Sequence, residues 1–188
     1  MSLLLRLTCN DMNIKSLSRL PDHFVTLTKK NDSDFEKYKD EVWDLVESSY
    51  AAVGGYPGMD KDKLIEDASM WKLVTRGGRV VAMVGYTDKY GGRKSFVSAS
   101  DGTIEGKKDL FSIWKEDVDM TDRGVFGEVS GKVEKKKLAL GAVPIPAEEA
   151  QKLLSDKPFL EINEDGFHYT RMIGGEPHEK LMVGYLPV

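Results

Sequence analysis

The chain has 188 residues, 40% hydrophobic and 31% charged, which is the balance of a globular protein with enough apolar side chain for a substantial core. Lysine and arginine number 27 against 31 acidic residues, a net charge of −4, so the composition demands neither nucleic acid nor an anionic membrane as partner, and no apolar run approaches the ~20 residues that cross a bilayer. A single cysteine, Cys9, excludes an internal disulfide framework and a cysteine-ligated metal cluster, which fits a reducing cytoplasm.

Residues 1–22 have no sustained period and read as an N-terminal extension closed by Pro21; a single domain is expected over 23–188. His23 to Thr28 is rich in β-branched and aromatic residues and predicts a first strand. Ser33 and Glu36 have capping-box spacing, and Phe35, Tyr38, Val42, Leu45 and Val46 then recur at helical intervals, so an amphipathic helix follows. Gly54, Gly55, Pro57 and Gly58 stop it, and Asp60 to Ser69 predicts a short second helix. Met70 to Thr75 and Arg79 to Tyr86 flank Arg76-Gly77-Gly78 as a hairpin, with Gly85 marking a bulge or a close backbone approach. Lys94 to Ser100 completes a three-strand meander.

The stretch from Ser95 to Val118 organises the rest. It reads as a strand, a glycine-bearing turn from Asp101 to Gly106, and a helix from about Lys107 whose inward side carries Leu110, Phe111, Trp114 and Val118. A helix start offers unpaired N–H groups and the positive end of the macrodipole, so this turn, with Lys107 and Lys108 beside it, is a candidate cradle for a diphosphate-bearing cofactor; a plain turn with two solvated lysines is the alternative. Downstream, Arg123 to Val129 predicts a strand and Ser130 to Leu140 a helix capped by Gly141, with Val133 and Leu140 inward and Lys132, Lys135, Lys136 and Lys137 mostly outward. Pro146 to Leu154 predicts a further short helix. Phe159 to Asn163, Phe167 to Ile173 and Leu181 to Leu186 read as strands, the last two joined by a turn at Gly174 to Pro177. His168 and His178 stand ten residues apart, without the short ligand spacing of a zinc site, so no metal is expected.

This order of elements resembles the GCN5-related N-acetyltransferase superfamily from His23 to Tyr185. That family carries Arg/Gln-x-x-Gly-x-Gly/Ala after its fourth strand, and the nearest match is Thr103-Ile104-Glu105-Gly106-Lys107-Lys108, with threonine and lysine at the outer positions. Its later Asn, Tyr and Gly-Phe positions fall on Ser130, Lys137 and Gly141-Ala142, so the tyrosine that would protonate a departing thiolate is replaced.

The resemblance implies an α/β (α+β) fold with a mixed, mostly antiparallel central sheet flanked by helices on both faces. It implies acetyl-CoA or another acyl-CoA between splayed fourth and fifth strands, its diphosphate on amides from Gly102 to Lys108, involving Gly102, Thr103, Gly106, Lys107 and Lys108, with Ser98, Ala99 and Ser100 of the strand beside it. An amine, on a small molecule or a side chain, would attack the thioester directly. Glu128 is the candidate base, expected to have a raised pKa, or else pairs with a lysine of the next helix. Ser130 is a thiolate-side donor or, preferably, a helix N-cap. Tyr185 and Tyr169 are candidate proton donors on closing strands, with core packing as their ordinary role. Degenerate members of the fold, among them small phage and mobile-element proteins, use the same groove as non-catalytic binding modules. The lysine patches alone speak for a nucleic-acid-modifying member, and a homodimer is compatible with the sequence.

Overall fold

The computed structural model describes residues 23–29, 33–51, 55–56, 58–118 and 124–185. The extension at 1–22, with Cys9, lies outside them. In chain order the elements are β1 (His23–Thr28), α1 (Asp34–Ala51), α2 (Lys61–Asp67), β2 (Met70–Arg76), β3 (Arg79–Thr87), β4 (Arg93–Ser100), α3 (Ile104–Val118), β5 (Val125–Val129), α4 (Gly131–Ala139), β6 (Val143–Pro144), α5 (Ala147–Leu153), β7 (Glu161–Ile162), β8 (His168–Ile173) and β9 (Glu176–Tyr185). One sheet runs β1-β2-β3-β4-β5-β9-β8-β7, with β6 beside β9. Every described pairing is antiparallel except β4 with β5. The expected mixed sheet with helices against it is therefore the observed one.

Alternation along the meander feeds two cores. Leu27, Leu73, Met83, Val97 and Ala99 meet Phe35, Val42 and Val46 of α1 and Leu64 of α2, with Phe35 stacked on Trp71 at 3.7 Å. Val74, Ala82 and Val84 meet Ile113 and Trp114 of α3 in the second core. On α3 the apolar stripe is shifted from the expected one: Ile113 is fully buried, whereas Phe111 is exposed. Lys72 points into this second core from between the apolar residues of β2. Its Nζ lies 2.8 Å from Asp117 Oδ1, and the Tyr86 hydroxyl donates to the same carboxylate at 2.7 Å, so the buried charges satisfy each other. A third core packs Ala147, Ala150 and Leu154 against Phe126, Tyr169 and Met182.

Two local features set up the centre of the sheet. Between β3 and β4 the register slips, Gly85 facing Val97 and Tyr86 facing Ser95, so Phe96 is an extra residue in β4. Gly85 is there for space, because a Cβ would come within 2.7 Å of Val97 Cγ1. A bulge bends its strand. Accordingly β4 pairs with β5 only through Arg93, Lys94 and Ser95, opposite Val125, Phe126 and Gly127, and beyond Ser95 the two strands are no longer paired.

Candidate functional site

Where β4 and β5 part, a cavity of about 410 Å³ opens between them. Its walls come from β4, β5, the start of α4, the α1–α2 connection and the β8–β9 hairpin. Loss of strand pairing leaves peptide groups on the edge of β4 to be satisfied otherwise. Tyr56 donates its hydroxyl to Phe96 O at 2.5 Å and Tyr50 donates to Ser98 O at 3.0 Å, the two rings meeting edge to face at 4.8 Å. Both hydroxyls are pushed to high pKa, chiefly by burial, and stay protonated donors.

At the apex of the fork Gly127 faces Ser95. A Cβ on Gly127 would overlap the Ser95 hydroxyl and come within 3.1 Å of Ser95 O, so glycine here lets that hydroxyl occupy the space between the strands. Ser95 Oγ donates to Phe126 O and accepts from Lys137 Nζ, both at 3.4 Å. Lys137, expected on the solvated side of its helix, is instead 5% exposed, with its ammonium 5.5 Å from the centre of the Trp114 ring. Burial pushes it down to about 8; Asp117 opposes the shift and Lys94 adds to it.

Glu128, the next residue along β5, is the centre of an ion cluster. Arg171 grips it with Nε at 2.5 Å from Oε1 and Nη2 at 2.7 Å from Oε2; Lys94 Nζ lies 3.2 Å from Oε2, and Tyr169 donates to Oε1 at 3.2 Å. Burial by itself would raise this carboxylate, whose side chain is 6% exposed, but Lys94 and Arg171 hold it at about 2. The expected raised pKa is thereby corrected; Glu128 does stand in an ion pair, but with Arg171 of β8 and Lys94 of β4 rather than with a lysine of the following helix. Lys94 moves the other way from an ordinary salt-bridged lysine: burial, with Lys157 and Arg171 nearby, lowers it more than Glu128 raises it. Arg171 is therefore the strong partner of Glu128, and Lys94 a desolvated cation beside them.

The remaining sequence candidates divide. Ser98 lines the cavity, as does Ser130. Ser130 occupies the N-cap position of α4, but its side chain makes no capping bond; it accepts instead from Lys180 Nζ at 3.5 Å. Ala99 is turned into the first core and Ser100 is buried at the end of β4. The bend from Gly102 to Lys108 does not line the cavity. Gly102 has the positive φ of 82° that its turn requires. Thr103 Oγ1 accepts the Gly106 amide at 2.9 Å and donates to Asp101 Oδ1 at 2.6 Å, and Asp101 also takes the Thr103 amide at 3.0 Å. Thr103 is thus the N-cap of α3, which starts three residues before the expected Lys107. Lys107 and Lys108 are exposed on its first turns. Tyr185 pairs with Val125, at the far end of β5 from Glu128 and Ser130, and its side chain lies outside the described residues. Tyr169 is a full donor to Glu128, its pKa raised by burial first and then by that carboxylate.

Sequence reasoning missed Lys94, Lys137, Arg171, Lys180, Tyr50 and Tyr56. The tyrosines had a signal, since Tyr50 precedes the Gly/Pro loop and Tyr56 lies in it, and Lys137 had one in the motif alignment; the other cations had none, because a basic residue on an isolated strand reads as solvated.

No family profile matches the chain, and no curated protein matches it in sequence. Solved structures do match. The ribosomal-protein-S18-alanine N-acetyltransferase of Escherichia coli superposes with a TM-score of 0.54 over 89% of this chain and 94% of its own, at 12% identity. An acyl-CoA N-acyltransferase of Pseudomonas aeruginosa gives 0.54 over 87% and 98%, also at 12% identity, and an N-acetyltransferase of Staphylococcus aureus gives 0.51 over 88% and 97% at 13%. The chain has the GCN5-related N-acetyltransferase fold. Within that fold the open fork between β4 and β5 is the expected splay, and Lys137 has its ammonium at the apex of the fork.

The fit to an acyl-CoA is divided along the molecule. The fork offers a half-open cleft of the size that small ligands fill. The bend offers less, because the Thr103 and Gly106 amides are already taken by Asp101 and Thr103, and the Asp101 carboxylate stands beside them.

Proposed function

We propose that this chain is an acyl-CoA-dependent N-acyltransferase acting on an amine by direct transfer, with acetyl-CoA as the first donor to test. The observation that carries this reading is the fork: β4 and β5 held apart by a bulge, with an aromatic and cationic cavity in the gap. Bound acyl-CoA would supply the thioester, the C–N bond forming as the C–S bond breaks. The residues of the chain would supply the proton handling. A cavity wall rich in ammonium and guanidinium groups disfavours a further ammonium, so an amine entering it is shifted toward its neutral, nucleophilic form. Lys137 Nζ, protonated below about 8 and near the apex, would give a proton to departing sulfur, and the proton shed by the acylated nitrogen would pass to solvent and so restore the ammonium. Glu128, at about 2, is a poor base at neutral pH and serves to anchor Arg171 and Lys94 in the wall.

One observation favours a second reading, a non-catalytic binding module: the self-capped bend at Asp101 and Thr103. Thermal unfolding with acetyl-CoA and CoA separates the two. A ligand at 100 times its dissociation constant stabilises the folded state by about 2.7 kcal/mol. A rise in midpoint with either nucleotide, followed by amine-dependent thiol release, supports the enzyme; no rise with acetyl-CoA, CoA or a longer acyl-CoA leaves the binding module.

A further inference from the structure

The fork carries more positive charge than its own carboxylates neutralise. Two carboxylates line it, Glu128 and Asp67. Glu128 is spent on Arg171 and Lys94, and Asp67 is paired with Lys89, which lies outside the lining. Lys137, Lys157 and Lys180 line the same cavity, and among the described residues none of the three has an ion-pair partner.

An ammonium has three N–H donors. Lys137 spends one on Ser95 Oγ at 3.4 Å and Lys180 one on Ser130 Oγ at 3.5 Å, both long, while Lys157 lies over the Tyr90 ring. Lys94 shares that ring from 5.7 Å, so two cations face one aromatic. The Ser130 hydroxyl caps nothing in its own helix and keeps its proton available. An ammonium and a hydroxyl donor therefore face the cavity that Arg171 also lines, and among the described residues neither Lys180 nor Ser130 has a carboxylate within ion-pair or hydrogen-bond distance. Burial lowers Lys180, and Arg171 lowers it further against the pull of Glu128, as expected where a cation waits for a counter-charge.

We propose that the fork binds the carboxylate or phosphate of its small-molecule ligand, gripped by Lys180 and Ser130 with Lys157 adding charge. The class of ligand is then an amine that also carries an anionic group, as opposed to a plain amine or a polyamine. That the ligand is an amine rests on the acyltransferase reading; the oxyanion grip does not.

The test has two stages with the full chain. In the first, binding of phosphoethanolamine, γ-aminobutyrate, n-propylamine and spermidine is measured by calorimetry without any acyl-CoA. One of the two anionic amines binds, its rank against the other naming phosphate or carboxylate, and the two non-anionic amines bind at least about tenfold more weakly, the scale of one charged hydrogen bond. Lys180→Gln and Ser130→Ala weaken the anionic amine by about that factor and leave n-propylamine unchanged, and Lys180→Arg restores it. Equal binding of n-propylamine or spermidine, indifference to both substitutions, or no binding of any of the four overturns the proposal. In the second stage thiol release from acetyl-CoA is followed with the same amines. Binding of the anionic amine without thiol release overturns acyl transfer and keeps the oxyanion site; fastest release with spermidine overturns the oxyanion site and keeps acyl transfer.

Discussion

Replacing Glu128 with glutamine removes the charge and keeps the shape. Arg171 and Lys94, with side chains 14% and 4% exposed, would be left without a counter-ion in the wall of the fork. The drop of the carboxyl from 4.5 to about 2 corresponds to about 3 kcal/mol of preferential stabilisation of its ionised form. Breaking a buried ion pair by removing one partner costs about 3–5 kcal/mol by general experience, so the two routes agree near 3. The sign follows from the direction of the shift. A carboxyl whose pKa is lower in the folded state contributes stability that is complete above its unfolded value of 4.5 and is lost as pH falls toward 2. Urea unfolding of the parent and Glu128→Gln should therefore differ by about 3 kcal/mol at pH 7, and by much less near pH 2.5. A difference below about 1 kcal/mol at pH 7, the size of an exposed pair, or an equal difference at both pH values, would refute the ion-cluster account.

Three other expectations follow from the same geometry. Lys137→Met removes a buried ammonium whose pKa is depressed, so at pH 7 the variant should be at least as stable as the parent by urea unfolding, and its advantage should shrink as pH rises from about 8 toward 10.5, where the parent's lysine becomes neutral in both states. If the chain transfers acyl groups, the same change should cut kcat about a hundredfold and remove an alkaline limb near pH 8 from the rate profile. Gly127→Ala should lose about 1–3 kcal/mol by overpacking the apex, and Ser95→Ala in the same chain should recover part of it by clearing the hydroxyl. Asp101→Ala removes the acceptor for the Thr103 amide and hydroxyl, lowering stability by about 1 kcal/mol; if the bend holds a diphosphate, the loss of that carboxylate should tighten CoA binding in calorimetry.

The fold was legible because its signals are local. Strand periodicity, the Gly77-Gly78 and Gly174-Gly175 turns and the helical stripe of α1 do not depend on what lies opposite, and β1 runs over the expected residues. Gly85 was legible as marking a bulge or a close approach, and the structure has the bulge, with Phe96 of β4 as the extra residue. The site was legible only in outline. Glu128 and Ser130 reach the cavity, but the pKa of Glu128 depends on Arg171, 43 residues away, and no periodicity announces that meeting. Lys137 looked solvated among the lysines of its helix, and only the packing of α4 over the fork and Trp114 buries it. Thr103 was read through a phosphate motif, yet its own side chain makes it a helix cap first. Charge-bearing positions thus take their meaning from tertiary neighbours, whereas turns and stripes carry theirs in the chain.

The fork and its charge support each other. A parallel pair that stops after three residues invites closure, since each further ladder bond would satisfy two peptide groups. On the β4 side that invitation is met by Tyr50 and Tyr56, which occupy the Ser98 and Phe96 carbonyls with hydroxyls too buried to ionise. From the other direction, drawing the strands together would press the buried ammoniums of Lys94 and Lys137 closer, and Lys94 already lowers Lys137 by like charge. In a dry gap their repulsion grows as the local dielectric falls. The tyrosines remove the gain from closing and the lysines raise its cost, so the gap stays open to water or to an anion.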